Sequence, residues 1–198
     1  MNNIQTRSIA IFAALAALMA ATRFDHFGSA VSLPDASYAV FFLGGLYLSR
    51  FARASVAAFS VLIIEAGLID YYATSVQGIS DWCMSPAYWF LIPTYASLWL
   101  GGRWSALPNA MNGHVMKGKG LTALALAAWA ASSFAFAFSN ATFYLFSGRF
   151  ADMSATEYAS RVAQYYVSYV SMALFYIACA VAIHMAVEII SRQRVQSH

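Results

Sequence analysis

Six apolar segments, joined by short polar loops, constrain the fold of this chain more than any other feature. The segments are 8–22, 36–49, 54–70, 86–100, 121–138 and 162–190. A helix needs about 20 residues to cross the hydrocarbon core of a bilayer, so we expect the shorter segments to extend into their flanking residues. The chain is therefore predicted to be an all-α integral membrane protein, with six transmembrane helices forming one domain over residues 1–198.

The composition argues against a water-soluble domain. Charged residues make up 10% of the chain and hydrophobic residues 61%, whereas a soluble domain carries about 25% charged residues. The net charge of +3 is too small to indicate binding to nucleic acid, so the lipid bilayer is the expected environment. The two cysteines are too few for a disulfide framework.

The positions of the basic residues predict the orientation. Eight of the 11 Lys and Arg residues lie at the N-terminus, in the second and fourth loops and at the C-terminus, while Arg23, Arg149 and Arg161 lie in the other three loops. Cytoplasmic loops carry an excess of Lys and Arg, so both termini are predicted to be cytoplasmic. The loop that contains the stretch DWCMSPAYW, residues 81–89, then lies on the outer face.

Cys83 in this outer stretch has the most unusual setting. A free cysteine is most often a small buried hydrophobe, but Cys83 lies in a loop beside Asp81 and Trp82. Cys179 lies roughly 25 Å deep in the last segment at 1.5 Å per residue, whereas a disulfide needs Cα atoms within about 7 Å. The loop offers no second cysteine for thiol exchange and no Cys or His partner for zinc. Cys83 is therefore expected to be a nucleophile, or one axial ligand to a metal that brings its other ligands, or a small buried hydrophobe without a chemical role.

Two acidic residues of the third segment are further candidates. Glu65 lies inside the segment, where an ionisable group is expensive and indicates a functional site; the alternative is a neutral carboxyl that is hydrogen-bonded between helices. Asp70 ends the segment at the outer face. It is expected either to accept hydrogen bonds from the amide or hydroxyl groups of a ligand or to be solvated.

The first segment carries a face of small residues. Its members are Ala10, Ala13, Ala14, Ala17, Ala20 and Ala21. Small residues spaced by four allow another helix to approach closely. This face is expected either to pack within the protein or to bind a partner subunit.

Together these features resemble the S-components of energy-coupling-factor (ECF) vitamin transporters: about 200 residues, six short spans, two cytoplasmic termini and an AxxxA face on the first helix. The outer cysteine in DWCMSPAYW, with Asp70 before it and Tyr88 after it, is similar to that of the cobalamin-specific members, the BtuM family. The resemblance implies a six-helix bundle in the bacterial inner membrane, with an outward-facing vitamin pocket.

The resemblance also implies roles for individual residues. The four corrin nitrogens of cobalamin occupy the equatorial positions of cobalt, so Cys83 would be an axial ligand and would promote loss of cyanide from cyanocobalamin. Asp70 and Tyr88 would hydrogen-bond to corrin amides, while Tyr71, Tyr72, Trp82 and Met84 would pack against the ring. The first and fifth loops would close over the ligand, with Phe24, Phe27, Tyr144 and Arg149 as further contacts.

In this family the alanine face contacts a transmembrane coupling subunit, and partner ATPases drive transport. The chain has no Gly-x-x-x-x-Gly-Lys-Ser/Thr motif, so it is not expected to hydrolyse ATP itself. Three other functions remain open from the sequence. They are an S-component for a different vitamin, a thiol-dependent membrane enzyme with Cys83 as its nucleophile, and an assembly protein without a ligand.

Overall fold

The computed structural model describes residues 3–24, 33–49, 52–78, 80–106 and 119–196, and within these residues the secondary structure is helical, with no strand. The α-helices are α1 (Asn3–Phe24), α2 (Ser37–Leu48), α3 (Ala52–Ser75), α4 (Leu91–Ala106), α5 (Lys119–Phe146) and α6 (Ala155–Gln196). Two short 3-10 helices, Asp81–Cys83 and Pro86–Phe90, connect α3 to α4. The all-α prediction is therefore confirmed for the described part of the chain.

Four of these helices are long and apolar enough to cross a membrane, counting only described residues: α1, α3, α5 and α6. Each of the six predicted segments overlaps one α-helix, but α2 has only 12 residues and α4 has 16. At 1.5 Å per residue, α2 is about 18 Å long. The long apolar helices indicate a membrane protein, and the count of six spans stays a prediction.

The short helix α2 forms the centre of the bundle. Ten of its 12 residues are buried, and it packs against α1, α3, α4 and α6. A helix that is hydrophobic on all sides is stable only when it is enclosed by apolar surroundings. Here those surroundings are supplied largely by the chain's own helices, because Phe41, Phe42 and Leu43 lie in the main core cluster.

Helices α2 and α4 approach each other closely at glycines. A Cβ atom on Gly45 would overlap the backbone carbonyl of Trp99, and one on Gly102 would overlap the backbone carbonyl of Phe42. Small residues at a crossing let two helix backbones come together. This contact fixes α4 against the central helix, and with it the turns that precede α4.

We name the two ends of the bundle after the predicted orientation. The outer end contains the last residues of α1, α3 and α5, the first residues of α2, α4 and α6, and the two 3-10 helices. The inner end contains the start of α1 and the last turns of α2, α4 and α6.

Candidate ligand-binding site at the outer end

A buried arginine organises the outer end. Arg23 lies in the last turn of α1 and is only 7% exposed. Its Nε atom donates to Asp70 Oδ1 at 2.7 Å and its Nη2 atom donates to Asp70 Oδ2 at 2.6 Å. This two-point geometry is the strongest arrangement of an arginine with a carboxylate. It ties the end of α1 to the end of α3.

The same guanidinium reaches two further helices. Its Nη1 atom donates to Ser37 Oγ at 2.8 Å in α2 and to Tyr95 Oη at 3.0 Å in α4. Asp35, just before α2, adds a second carboxylate 3.7 Å from Nη1. Arg23 thus joins four helices, and two carboxylates, those of Asp35 and Asp70, surround its single positive charge.

Asp70 is fully engaged in this network. Besides both contacts from Arg23, its Oδ2 atom accepts a hydrogen bond from Tyr88 Oη at 2.7 Å. The Tyr88 hydroxyl is the donor here, because a carboxylate oxygen can only accept. The expectation of a solvated Asp70 is wrong, because the residue is only 9% exposed.

A cavity of about 390 Å³ opens beside the network. Tyrosine hydroxyls, an amide and aromatic rings surround it, contributed mainly by α2, α4, α5, α6 and the 3-10 helix Pro86–Phe90. The lining residues include Arg23, Asp35, Tyr38, Asp70, Tyr88, Tyr95, Phe136, Ser139, Asn140, Tyr165 and Tyr169. Apolar walls with a few convergent polar groups are typical of small-molecule sites.

The cysteine stretch is an ordered turn next to this cavity in the chain. Cys83 ends the 3-10 helix Asp81–Cys83, where Ser80 Oγ accepts from the Trp82 amide and Asp81 O accepts from the Met84 amide. The Cys83 side chain lies outside the described part of the structure. Tyr88, which lines the cavity, follows five residues later, a chain distance of at most about 18 Å.

Two aromatic contacts hold the outer turns against the end of α5 and the loop that follows it. The guanidinium carbon of Arg149 lies 4.5 Å from the centre of the Trp82 ring, within the range of a cation–π interaction. The Phe90 ring stacks on Phe146 with 4.6 Å between the ring centres. The turns that carry Cys83 are thus attached to α5 as well as to α3.

The other residues predicted to contact a ligand are more scattered. Tyr71 is 62% exposed and Tyr72 is also exposed, both on α3. Trp82 and Met84 are exposed, and none of these four lines the cavity. Phe27 and the side chain of Phe24 lie outside the described residues. Tyr144, near the end of α5, does not line the cavity either, and its Oη atom donates to the Met153 carbonyl.

The alanine face of α1 is largely uncovered. Ala10, Ala13, Ala14, Ala17 and Ala21 are exposed and Ala20 is half-buried. Packing inside this chain therefore does not account for the face. Glu65 is half-buried on α3 and does not line the outer cavity.

The described residues contain no group of three or more His, Cys, Asp or Glu that could hold a metal ion. Cys83, whose side chain is not described, is the one thiol that the sequence puts in the outer turns, next to the thioether of Met84.

Sequence reasoning missed the main organiser of the site. Arg23 was counted only as one of three basic residues in outer loops, and Tyr38, Tyr95, Ser139 and Asn140 were not singled out. The available signal for Arg23 was its position at the end of an apolar segment, where a charged group is tolerated only if it is paired or reaches water.

Comparison of the chain with protein-family models gives no match, and comparison with curated proteins gives none either.

Proposed function

We propose that this protein binds a cobalamin-type corrinoid at the outer end of a membrane-embedded bundle and takes part in its uptake, with the Cys83 sulfur as an axial ligand of cobalt. The observation that carries the proposal is the setting of Cys83. It is a lone thiol at the end of an ordered 3-10 turn, five residues before a tyrosine that lines a polar and aromatic cavity.

Cobalt in a corrin suits a lone cysteine because the ring supplies all four equatorial ligands and leaves only axial positions. A thiol that coordinates a metal is deprotonated. The Cys83 thiolate would displace the vitamin's own nitrogen base from the axial position opposite cyanide, which would weaken the bond between cobalt and cyanide. Cyanide would then leave with the electron pair of that bond and take up the proton lost by the thiol, and water would fill its place. This is a ligand exchange without a change in the oxidation state of cobalt, and it need take place only once for each bound molecule.

The network beside the cavity refines the roles of the neighbouring residues. Both oxygens of Asp70 are used by Arg23 and Tyr88, so Asp70 acts by holding Tyr88 in position. Corrin amides are then expected to meet Tyr38, Ser139 and Asn140 on the cavity wall. A cavity of about 390 Å³ is at the lower end of the range for drug-sized ligands, and a corrinoid is larger, so binding requires the outer turns to separate from α5.

Uptake requires an energy source that the chain does not carry. The exposed alanine face of α1 is suited to close contact with a transmembrane coupling subunit, which partner ATPases would drive. The proposal includes six spans and the bacterial inner membrane as the location.

A visible spectrum tests ligand binding directly. Protein purified from cells given cyanocobalamin should carry a corrin band that differs from that of the free vitamin, because thiolate replaces an axial ligand. In Cys83→Ser the corrin band should be absent, or it should return to the position that it has in the free vitamin. Cys179→Ser is the matched control, because Cys179 is an exposed cysteine on α6, and it should leave the band unchanged.

The same experiment separates the competing functions. Colourless wild-type protein that also fails to bind cobalamin in solution would overturn the proposal and leave a different vitamin or a thiol-dependent enzyme. Uptake is measured separately, by rescue of a strain that needs imported vitamin and lacks its own importer. Binding without rescue, at normal expression, would remove transport and keep the corrinoid site.

A further inference from the structure

A second and larger cavity lies at the opposite, inner end of the bundle. It has a volume of about 930 Å³ and runs between α1, α2 and α6. We call it the inner cleft, defined by Arg7, Ile11, Ala14, Leu15 and Leu18 of α1, Leu43, Leu46 and Tyr47 of α2, Ala106 of α4, and Ala180, Ile183, His184, Val187, Glu188 and Ser191 of α6. The outer candidate site uses other residues.

The length of the inner cleft matches one leaflet of a bilayer. Its wall on α1 extends from Arg7 to Leu18, and its wall on α6 from Ala180 to Ser191. Each wall covers 11 residue steps, or about 16 Å of helix. Half of the hydrocarbon core is about 15 Å thick. Along this length the walls are mostly apolar side chains.

Polar groups gather at one end of the inner cleft, where α1 begins and α6 nears its end. The Tyr47 ring stacks on His184 with 5.5 Å between the ring centres. Arg7 of α1 and Glu188 of α6 line the cleft together with these two rings. A positive and a negative side chain therefore face the same opening.

The hydroxyl of Tyr47 points to a missing partner. Tyr47 Oη is buried and has no hydrogen-bond partner among the residues that the structure describes. A buried hydroxyl without a partner is unfavourable, and nearly all buried polar atoms in proteins are satisfied. An oxygen-rich ligand at the polar end of the cleft would accept this hydrogen bond.

We propose that the inner cleft binds one zwitterionic phospholipid, with an acyl chain between α1 and α6, its phosphate at Arg7 and its headgroup ammonium at Glu188. Arginine matches the geometry and charge of phosphate. A headgroup with only negative charge would bring that charge beside the carboxylate of Glu188, and a lipid without phosphate would leave Arg7 without its partner. The proposal depends on membrane embedding and is independent of corrinoid binding.

Lipid retention tests the site. The protein is reconstituted in nanodiscs of equal parts phosphatidylethanolamine and phosphatidylglycerol, transferred to detergent, and examined by native mass spectrometry. Wild-type protein should keep one lipid, with phosphatidylethanolamine preferred. Arg7→Gln should lower retention by about tenfold or more, the effect of one charge-assisted contact.

Two further variants distinguish the headgroup contacts from general lipid adhesion. Glu188→Gln should keep the lipid and shift the preference toward phosphatidylglycerol, because the carboxylate no longer opposes a net negative headgroup. Arg53→Gln is the control, because Arg53 is an exposed arginine at the start of α3. It should change neither retention nor preference.

A variant that fills the cleft tests the proposal independently, in case the charge variants do not fold. Ala14→Phe puts a bulky side chain on a cleft wall and should abolish retention in protein whose thermal unfolding remains cooperative. The proposal is overturned if wild type retains both lipids in the bulk ratio, if it prefers phosphatidylglycerol, or if folded Ala14→Phe retains as much lipid as wild type.

Discussion

At the scale of single residues, the ion pair of Arg23 and Asp70 decides how the outer end is built. Its two partners are 47 residues apart in sequence, and both are buried. Taking two charges out of water is expensive, and removing one partner is worse because the other is left buried and unpaired. Tyr88 contributes a third, weaker contact to the same carboxylate.

We therefore expect a clear order of stability among variants of this network. Asp70→Asn should lower the free energy of unfolding by about 2–3 kcal/mol, because buried Arg23 loses its two-point partner and keeps only the Asp35 carboxylate, 3.7 Å from Nη1. Tyr88→Phe should lower it by about 1.5 kcal/mol, because Arg23 still neutralises Asp70. Thermal and denaturant unfolding in detergent measure both values. Equal losses for the two variants would contradict the role given to Arg23.

The same residues show where sequence reasoning stops. The pattern of apolar segments places Asp70 at the end of a segment and Arg23 in the loop after the first one. In the structure Arg23 instead lies in the last turn of α1, and α3 continues five residues beyond Asp70. That the two side chains meet depends on how α1 and α3 pack, and no local pattern encodes that packing. Asp70 was thus singled out correctly as an unusual residue, while its partner was not.

At the scale of helices, the glycine contact between α2 and α4 holds the centre of the bundle together. Gly45→Ala and Gly102→Ala each add a methyl group against a backbone carbonyl of the opposite helix, which cannot move without the whole helix. Each substitution should lower the free energy of unfolding by about 1–3 kcal/mol or more, the usual result of overpacking.

Gly67→Ala on α3 is the matched control for these variants. A Cβ atom there meets nothing within 4 Å, and alanine is favoured over glycine inside a helix by roughly 0.5–1 kcal/mol. Its stability should therefore be unchanged or slightly higher. A loss of stability at Gly67 similar to that at Gly45 would show that the α2–α4 crossing is not the cause.

The 3-10 turns that carry Cys83 depend on contacts with the loop between α5 and α6. Arg149→Gln removes the cation–π contact to Trp82, which at an exposed site contributes roughly 0.5–1 kcal/mol. Amide hydrogen exchange in residues 80–90 should therefore become about two- to fivefold faster. Arg161→Gln, which removes the exposed ion pair with Glu157 on α6, should leave exchange in these residues unchanged.

At the scale of the whole molecule, the hydrophobicity of the sequence predicts that this is a membrane protein better than it predicts how the helices are arranged. The segment 36–49 is predicted to be a membrane span like the others, and this stays a prediction; what the structure adds is that α2 is a short helix enclosed by its neighbours. Lipid and protein interior are both apolar, so the two environments select the same side chains. In the sequence, only the length of a segment and its glycines distinguish a helix enclosed by other helices from one that faces lipid. Neither feature can be interpreted until the packing of the helices is known.

The orientation of the bundle follows from the basic residues and has a direct test. In intact bacterial cells, or in spheroplasts if an outer membrane blocks the reagent, a membrane-impermeant maleimide should label Cys83 in a Cys179→Ala background. It should not label a cysteine placed at exposed Gln193 near the end of α6 in a Cys83→Ala, Cys179→Ala background. Permeabilising the cells should label both. Labelling of the Gln193→Cys protein in intact cells would show that the orientation is the reverse of the prediction. The cavity beside Arg23 and Tyr88 would then open to the cytoplasm, where it could not receive a vitamin from outside.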